Sequence, residues 1–296
     1  MNKPTVQDIF LRFYPAYLEK YSPSAEQAKV ARNILNCKTG AYGANISVCE
    51  DCGAVQIHYN SCRNRCCPMC QAVPKEMWMD ARREDVLDAP YFHLVFTVPD
   101  ILNPIIYNNQ KLLYDILYHA ASATISELTA DPKHLGADVG YICILHTWGS
   151  EMNFHPHIHT ILLGGGLTSK NEWKDNGTEF FLPIRAVSKS FRGKYIDELK
   201  HLWNTGQLEF HGTAEKYRNY YVFKDLLDSC YDTEWIPYCK KTFNGAGSVI
   251  DLGKYTHRIA ISNHHSFEYH KDVKSLFFHT FSKASKLEVL LSYLFI

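Results

Sequence analysis

The chain has 296 residues, enough to bury a sizeable core and to form two domains. Its 31 basic and 31 acidic residues cancel, so net charge neither favours nor opposes a nucleic-acid partner, and local clusters must carry that information. No apolar run approaches the roughly 18 residues that cross a bilayer, and residues 1–15 lack the apolar core of a secretory signal; the expectation is a cytoplasmic protein with no membrane partner.

Residues 1–36 read as helical. Val6, Ile9, Phe10, Phe13 and Tyr14 recur at helical spacing, and 25–35 forms a second amphipathic stretch after Ser22-Pro23-Ser24. Most of the ten cysteines then crowd into 37–71. Two Cys-x-x-Cys pairs, Cys49/Cys52 and Cys67/Cys70, have the spacing of a structural zinc site, each knuckle offering two thiolates to one tetrahedral ion. Disulfides are the rival reading, disfavoured by the mixed, charged start of the chain. Cys49, Cys52, Cys67 and Cys70 are the expected zinc ligands. Cys37, His58, Cys62 and Cys66 are left over and could complete a second ion, with a buried free thiol the alternative for Cys37 and Cys66. Arg63 and Arg65 lie in the intervening loop. Lys75, Arg82 and Arg83 follow on a helix expected over 73–87, and the five cations suit DNA phosphates.

The period then changes from helical to alternating. A strand is expected over 91–98, a long helix over 108–128, and a second strand over 139–148. After the tight loop 149–153, a third strand runs from 154 to 163 and stops at Gly164-Gly165-Gly166; the short polar loop makes the last two strands an antiparallel hairpin. Residues 167–232 are polar and mixed, with a helix at 194–205, and read as an insertion. A strand at 235–240 and a helix at 248–260 follow.

The third strand carries His155-Pro156-His157-Ile158-His159. Side chains alternate along a strand, so the three imidazoles share one face. Two histidines at i and i+2 on a rigid strand can chelate one divalent ion. Imidazole suits zinc, manganese, nickel or copper, whereas substrate phosphates bring in magnesium or manganese. On the later helix, Val249, Leu252, Thr256 and Ile259 line one side. Asp251, Lys254, Tyr255 and Arg258 share the other, three or four residues apart. A phenol ordinarily ionises near pH ~10; Lys254, Arg258 and a nearby ion would favour the phenolate, a nucleophile for phosphorus.

The segments Ser61-Cys-Arg-Asn-Arg-Cys-Cys-Pro-Met-Cys-Gln71, Tyr91-Phe-His-Leu-Val-Phe-Thr-Val-Pro99, Leu145-His-Thr-Trp-Gly149, His155-Pro-His-Ile-His159, Gly164-Gly-Gly-Leu167 and Leu252-Gly-Lys-Tyr-Thr-His-Arg-Ile-Ala-Ile-Ser-Asn263 together resemble rolling-circle transposases of the insertion-sequence ninety-one family, in order from about residue 25 to about residue 264. The resemblance implies an α+β fold: a small helical zinc-binding domain (1–88), then a nuclease domain of the histidine-hydrophobe-histidine class (89–264, with 167–232 inserted), then a divergent tail (265–296). In that class a central antiparallel sheet carries the metal histidines and a neighbouring helix carries the nucleophilic tyrosine.

Carried onto this sequence, His157 and His159 become the paired ligands of a catalytic Mg2+ or Mn2+, and Tyr255 the nucleophile. The third ligand is open among His155, Glu151 and Asp251, with His155 preferred for its place on the strand. The implied activity is nicking and joining of single-stranded DNA at transposon ends through a 5′-phosphotyrosine link, beside a structural Zn2+. Two departures stand out. Asp251 occupies a position where many members have a first tyrosine, which fits a one-tyrosine variant. The segment 264–296 does not resemble the family's continuation, which fits a frameshifted or truncated copy. The alternative is a zinc-dependent DNA-binding protein that descends from such an enzyme without its catalysis. A purely hydrolytic metal site is disfavoured, because Thr160-Ile161-Leu162 supplies no further ligand.

Overall fold

The computed structural model describes residues 4–149, 153–175, 182–233, 235 and 238–241, and the strand backbones at 267–269 and 276–278. These residues form two compact units: residues up to 84, with Asn153 and the strands at 267–269 and 276–278, make the first, and the described residues of 85–149 and 154–241 make the second. No helix among the described residues is long and apolar enough to cross a membrane.

In the first unit, α1 (Val6–Leu18) starts at a capping box: Thr5 accepts from the Asp8 N–H, and the Asp8 carboxylate accepts from the Thr5 N–H. The second helix, α2 (Ala25–Asn36), starts in the same way with Ser24 and Gln27. Val6, Ile9, Phe10, Tyr14 and Tyr17 are buried on α1, and Val30, Ala31 and Ile34 on α2, where the two helices pack together. Gln7 ties the end of α2 down: its Nε2 lies 3.0 Å from the Ile34 carbonyl and 2.9 Å from those of Leu35 and Cys37. These are carbonyls at the helix C-terminus, where the regular ladder runs out of N–H donors. An antiparallel hairpin follows, β1 (Ala44–Val48) and β2 (Val55–Tyr59), exposed along its whole length. The helix α3 (Ala72–Asp85) comes next, close to its expected bounds.

The second unit is built on a sheet. The strand β3 (Tyr91–Thr97) leads to α4 (Asn103–Asn108) and α5 (Gln110–Ala130). A single helix was expected from 108; the chain breaks at Asn109, at φ −128° and ψ 39°. That residue's side chain clamps a distant segment, donating to the Glu209 carbonyl at 2.7 Å and accepting from the Glu209 N–H at 2.7 Å. The strands β4 (Asp138–Trp148) and β5 (Phe154–Leu167) form the expected antiparallel hairpin. The short β6 (Trp173–Asp175), the helices α6 (Ile184–Asn204) and α7 (Tyr220–Asp232), and β7 (Tyr238–Lys241) complete the unit. Sheet order is β4-β5-β3-β7, with β6 on β5, and every pairing is antiparallel.

One face of the sheet is apolar. Phe92, Leu94, Phe96, Ile158 and Leu162 are buried in one cluster with Leu113, Leu117 and Ala121 of α5 and Phe191, Tyr195 and Leu199 of α6. Helix α7 joins the same cluster through Phe223, Leu226 and Leu227. Residues 184–232, within the segment 167–232 that reads as an insertion, contribute to the sheet's own core. The opposite face alternates with the first along each strand and carries His93 on β3, His146 on β4, and His157 and His159 on β5.

The expected stop of β5 at its glycine triplet is corrected: the strand runs through it to Leu167. These glycines serve close packing. A Cβ on Gly164 would meet the Phe92 ring at 2.8 Å and the Pro90 carbonyl oxygen at 2.9 Å. One on Gly165 would overlap Trp173, and one on Gly166 the Asp138 carbonyl. Two short strands, β8 (Phe267–Tyr269) and β9 (Leu276–Phe278), form a separate antiparallel pair. The helix expected over 248–260 and the loop residue Glu151 lie outside the described residues.

Candidate metal centres

Four cysteines converge in the first unit. The sulfurs of Cys37, Cys62, Cys67 and Cys70 all lie within 4.8 Å of one another. Cys37 Sγ is 3.4 Å from Cys70 Sγ, and Cys62 Sγ is 3.5 Å from it. Thiolates bound 2.3 Å from a tetrahedral zinc stand about 3.8 Å apart, so the spacing fits that ion. Backbone N–H groups point at the sulfurs, from Cys62 to Cys37 Sγ and from Asn64 to Cys62 Sγ, both at 3.5 Å. Burial pushes the Cys62 thiol up to about 12 and raises Cys67 as well. Burial also acts to raise Cys70, but hydrogen bonds from Cys37 and Cys62 outweigh it and hold that thiol below its ordinary range. Zinc binds the thiolate form, so an ion held here would displace the thiol protons.

This grouping differs from the one expected from spacing. Cys67 and Cys70 are in it, but Cys49 and Cys52 are exposed at the tip of the β1–β2 hairpin, outside the cluster. A tight turn holds them there, with Gly53 at φ +69° donating to the Cys49 carbonyl at 2.9 Å. The two places are filled by Cys37, at the end of α2 that Gln7 anchors, and by Cys62. His58 is exposed on β2, and Cys66 is partly buried with its N–H on Asn64 Oδ1 at 2.8 Å; neither belongs to the cluster. Arg63 and Arg65 are exposed beside it, and Arg63 sits at φ +55° in the turn that presents Cys62. On α3, Lys75 and Arg82 are half-buried, while Arg83 is exposed and paired with Asp80.

Three imidazoles converge in the second unit. Ligand nitrogens of His146, His157 and His159 lie within 4.8 Å of one another, and the residues are only 6%, 8% and 6% exposed. His146 and His157 are direct cross-strand partners, and His159 follows on the same face of β5. A carbonyl oxygen can only accept, so His157 donates its Nδ1–H to the His155 carbonyl at 2.7 Å. That leaves the Nε2 lone pair of His157 facing His159 Nε2 at 3.1 Å, the separation of two adjacent donors about one ion. Burial drives the pKa of His157 down to about 4 and that of His159 further still, with neighbouring imidazoles adding to both. Neutral, buried rings with inward lone pairs are what a divalent cation needs.

His155 is not in this cluster. Its Nδ1 turns to Asp100 Oδ1 at 3.0 Å. A register irregularity lies between His146 and Trp148, at the end of the strand pair where Trp148 opposes Phe154. His146 takes the third place. Its signal was the histidine of Leu145-His-Thr-Trp-Gly149, which the hairpin register sets opposite His157. Asp251, Lys254, Tyr255 and Arg258 lie outside the described residues.

Residues 9–98 match the family described as "Transposase zinc-binding domain", and residues 140–286 match the one described as "Putative transposase". The chain belongs to the insertion-sequence ninety-one transposase family. Among curated relatives, it is 38% identical over 263 residues to "Putative transposase y4qJ" of Sinorhizobium fredii, covering 88% of this chain and 66% of that one. It is 30% identical over 193 residues to "Transposase for insertion sequence element IS801" of Pseudomonas savastanoi pv. phaseolicola, covering 58% of this chain and 46% of that one. The chain thus spans 66% and 46% of the lengths of these two relatives. Similarity to a solved conjugative relaxase TrwC, in a metal-bound complex with oriT DNA, is slight: a TM-score of 0.31 and 12% identity over 68% of this chain and 69% of that one.

Proposed function

We propose that this transposase nicks and joins single-stranded DNA at transposon ends, with Tyr255 as the nucleophile and a divalent ion beside it. The observation that carries the reading is the convergence of His146, His157 and His159 on one buried sheet face, with the Nε2 atoms of His157 and His159 3.1 Å apart. Mg2+ or Mn2+ bound there would polarise a phosphate oxygen and stabilise the charge that builds on it. The neutral imidazoles provide the binding site, and the sheet holds them rigid.

The Tyr255 hydroxyl oxygen attacks phosphorus as the phenolic proton leaves. The P–O3′ bond breaks, the departing oxygen takes up a proton, and the 5′-phosphate stays on the tyrosine. Lys254 and Arg258, one and three residues from Tyr255, favour the phenolate and hold the phosphate. Attack of a 3′-hydroxyl on the phosphotyrosine reverses the step and joins strands. One ester replaces another throughout, so no nucleotide cofactor is consumed.

A structural Zn2+ held by Cys37, Cys62, Cys67 and Cys70 would shape the first unit, with Arg63, Arg65, Lys75, Arg82 and Arg83 gripping phosphates in a salt-dependent way. A second reading, a DNA-binding protein without catalysis, is favoured by Asp251, at a position where the family resemblance implies a first tyrosine in many members. Incubation with labelled single-stranded oligonucleotide and Mn2+, followed by a denaturing gel, separates the two. A retarded band that survives denaturation and is absent in Tyr255→Phe supports the nicking enzyme; an equal band in Tyr255→Phe removes Tyr255 from its role, and no band with the wild-type chain leaves the binder.

A further inference from the structure

His93 belongs to none of the groups described so far, yet it touches the candidate catalytic centre. It lies on β3 diagonally across from His159 of β5, since its own Cα partner is Ile161 and both residues face the histidine side of the sheet. Its Nε2 is 2.8 Å from His159 Nδ1, and the two rings stack with centroids 5.1 Å apart and planes 15° apart. Tyr238 of β7 meets the His93 ring edge-on at 5.6 Å.

We infer that His93 is a positioning residue that accepts the Nδ1–H of His159 and so aims the Nε2 lone pair of His159 at the divalent ion. The inference rests on the metal centre proposed above and on where the imidazole protons sit. A neutral imidazole carries one proton, and a ring that binds a cation through Nε2 must keep that proton on Nδ1. The Nδ1 of His157 has a backbone carbonyl to donate to, an acceptor in every protonation state. His159 meets another imidazole nitrogen instead. That nitrogen accepts only if His93 carries its own proton on Nδ1. The opposite arrangement, with His93 donating from Nε2, would place the His159 proton on Nε2, where the ion must bind. The two ligands of β5 are thus oriented by different means, His157 by the main chain and His159 by a side chain that mutation can remove.

The test is metal binding by the full chain, read without reference to turnover. Mn2+ affinity is measured by calorimetry for wild type, His93→Phe, His93→Gln and His157→Ala. Phenylalanine keeps a ring of similar shape but cannot accept; affinity should fall about 10- to 100-fold. Glutamine, whose amide oxygen can accept, should recover most of the loss. A companion measurement needs no variant: 15N spectra of histidine-labelled, Zn2+-loaded wild type should show His93 protonated on Nδ1 and bare on Nε2. Wild-type affinity in His93→Phe beside a large loss in His157→Ala would overturn the role of His93 alone, as would an Nε2-protonated His93 in the loaded protein. Unchanged Mn2+ binding in His157→Ala would overturn the metal centre and, with it, this inference.

Discussion

His146 and His157 face each other as direct partners across the β4–β5 hairpin, so strand register alone brings two of the three clustered imidazoles together. The third, His159, needs only the two-residue repeat of β5. The centre is consequently as rigid as the hairpin, and its composition makes definite statements about single substitutions.

His146→Ala removes one of three donors and is expected to weaken Mn2+ binding by at least 100-fold and to abolish any metal-dependent adduct. His155→Ala breaks a partly exposed pair with Asp100 and should leave Mn2+ affinity within about threefold of wild type. Calorimetric titration of both variants decides; the reverse order of effects would return His155 to the ligand set.

Zinc content distinguishes the cysteines. Elemental analysis of Cys37→Ser or Cys62→Ser should find the structural zinc lost, with the first unit destabilised by several kcal/mol, because metal binding contributes folding energy to such a small domain. Cys49→Ser, at the exposed hairpin tip, should keep it. Loss of zinc in Cys49→Ser and retention in Cys37→Ser would contradict the grouping.

Acid should unfold the second unit more readily when metal has been removed by chelation. His157 titrates near 4 in the fold against an ordinary 6.5, because burial penalises its charged form. Below pH 6.5 the unfolded chain takes up a proton that the folded chain does not, so stability falls with pH until the folded value is passed. The full effect for this residue is roughly 3 kcal/mol between pH about 6.5 and about 4. Urea titrations of wild type and His157→Gln across that range should diverge, with the variant the less sensitive. Parallel curves would show that His157 is not held neutral by burial.

Gly166→Ala tests the reading of the glycine triplet as a packing device. Its Cβ would collide with the Asp138 carbonyl of the partner strand, and the backbone must shift to relieve the overlap. A loss of about 1–3 kcal/mol in urea unfolding is expected. A change below about 0.5 kcal/mol would mean that the strands yield easily there.

Much of this architecture could be read from local pattern. The spacing of Val6, Ile9, Phe10 and Tyr14 marks α1, and alternation marks β3, β4 and β5. His157 and His159 are paired by the geometry of any strand. What escaped depends on contacts between distant residues. His146 is a lone histidine until the hairpin register sets it opposite His157, and the end of α4 is invisible until Asn109 is seen to clamp Glu209. The cysteines mislead for a related reason. Two equal Cys-x-x-Cys spacings invite pairing of like with like, whereas Gln7 brings the end of α2, and with it Cys37, to the cluster while the hairpin carries Cys49 and Cys52 to its tip.

The most direct measurement is a crystal of the full chain soaked with Mn2+, with anomalous diffraction recorded at the manganese edge. A single peak within bonding distance of the imidazole nitrogens of His146, His157 and His159 is the expected result. A peak held instead by His155 and Asp251, or none on that face of the sheet, would contradict the account.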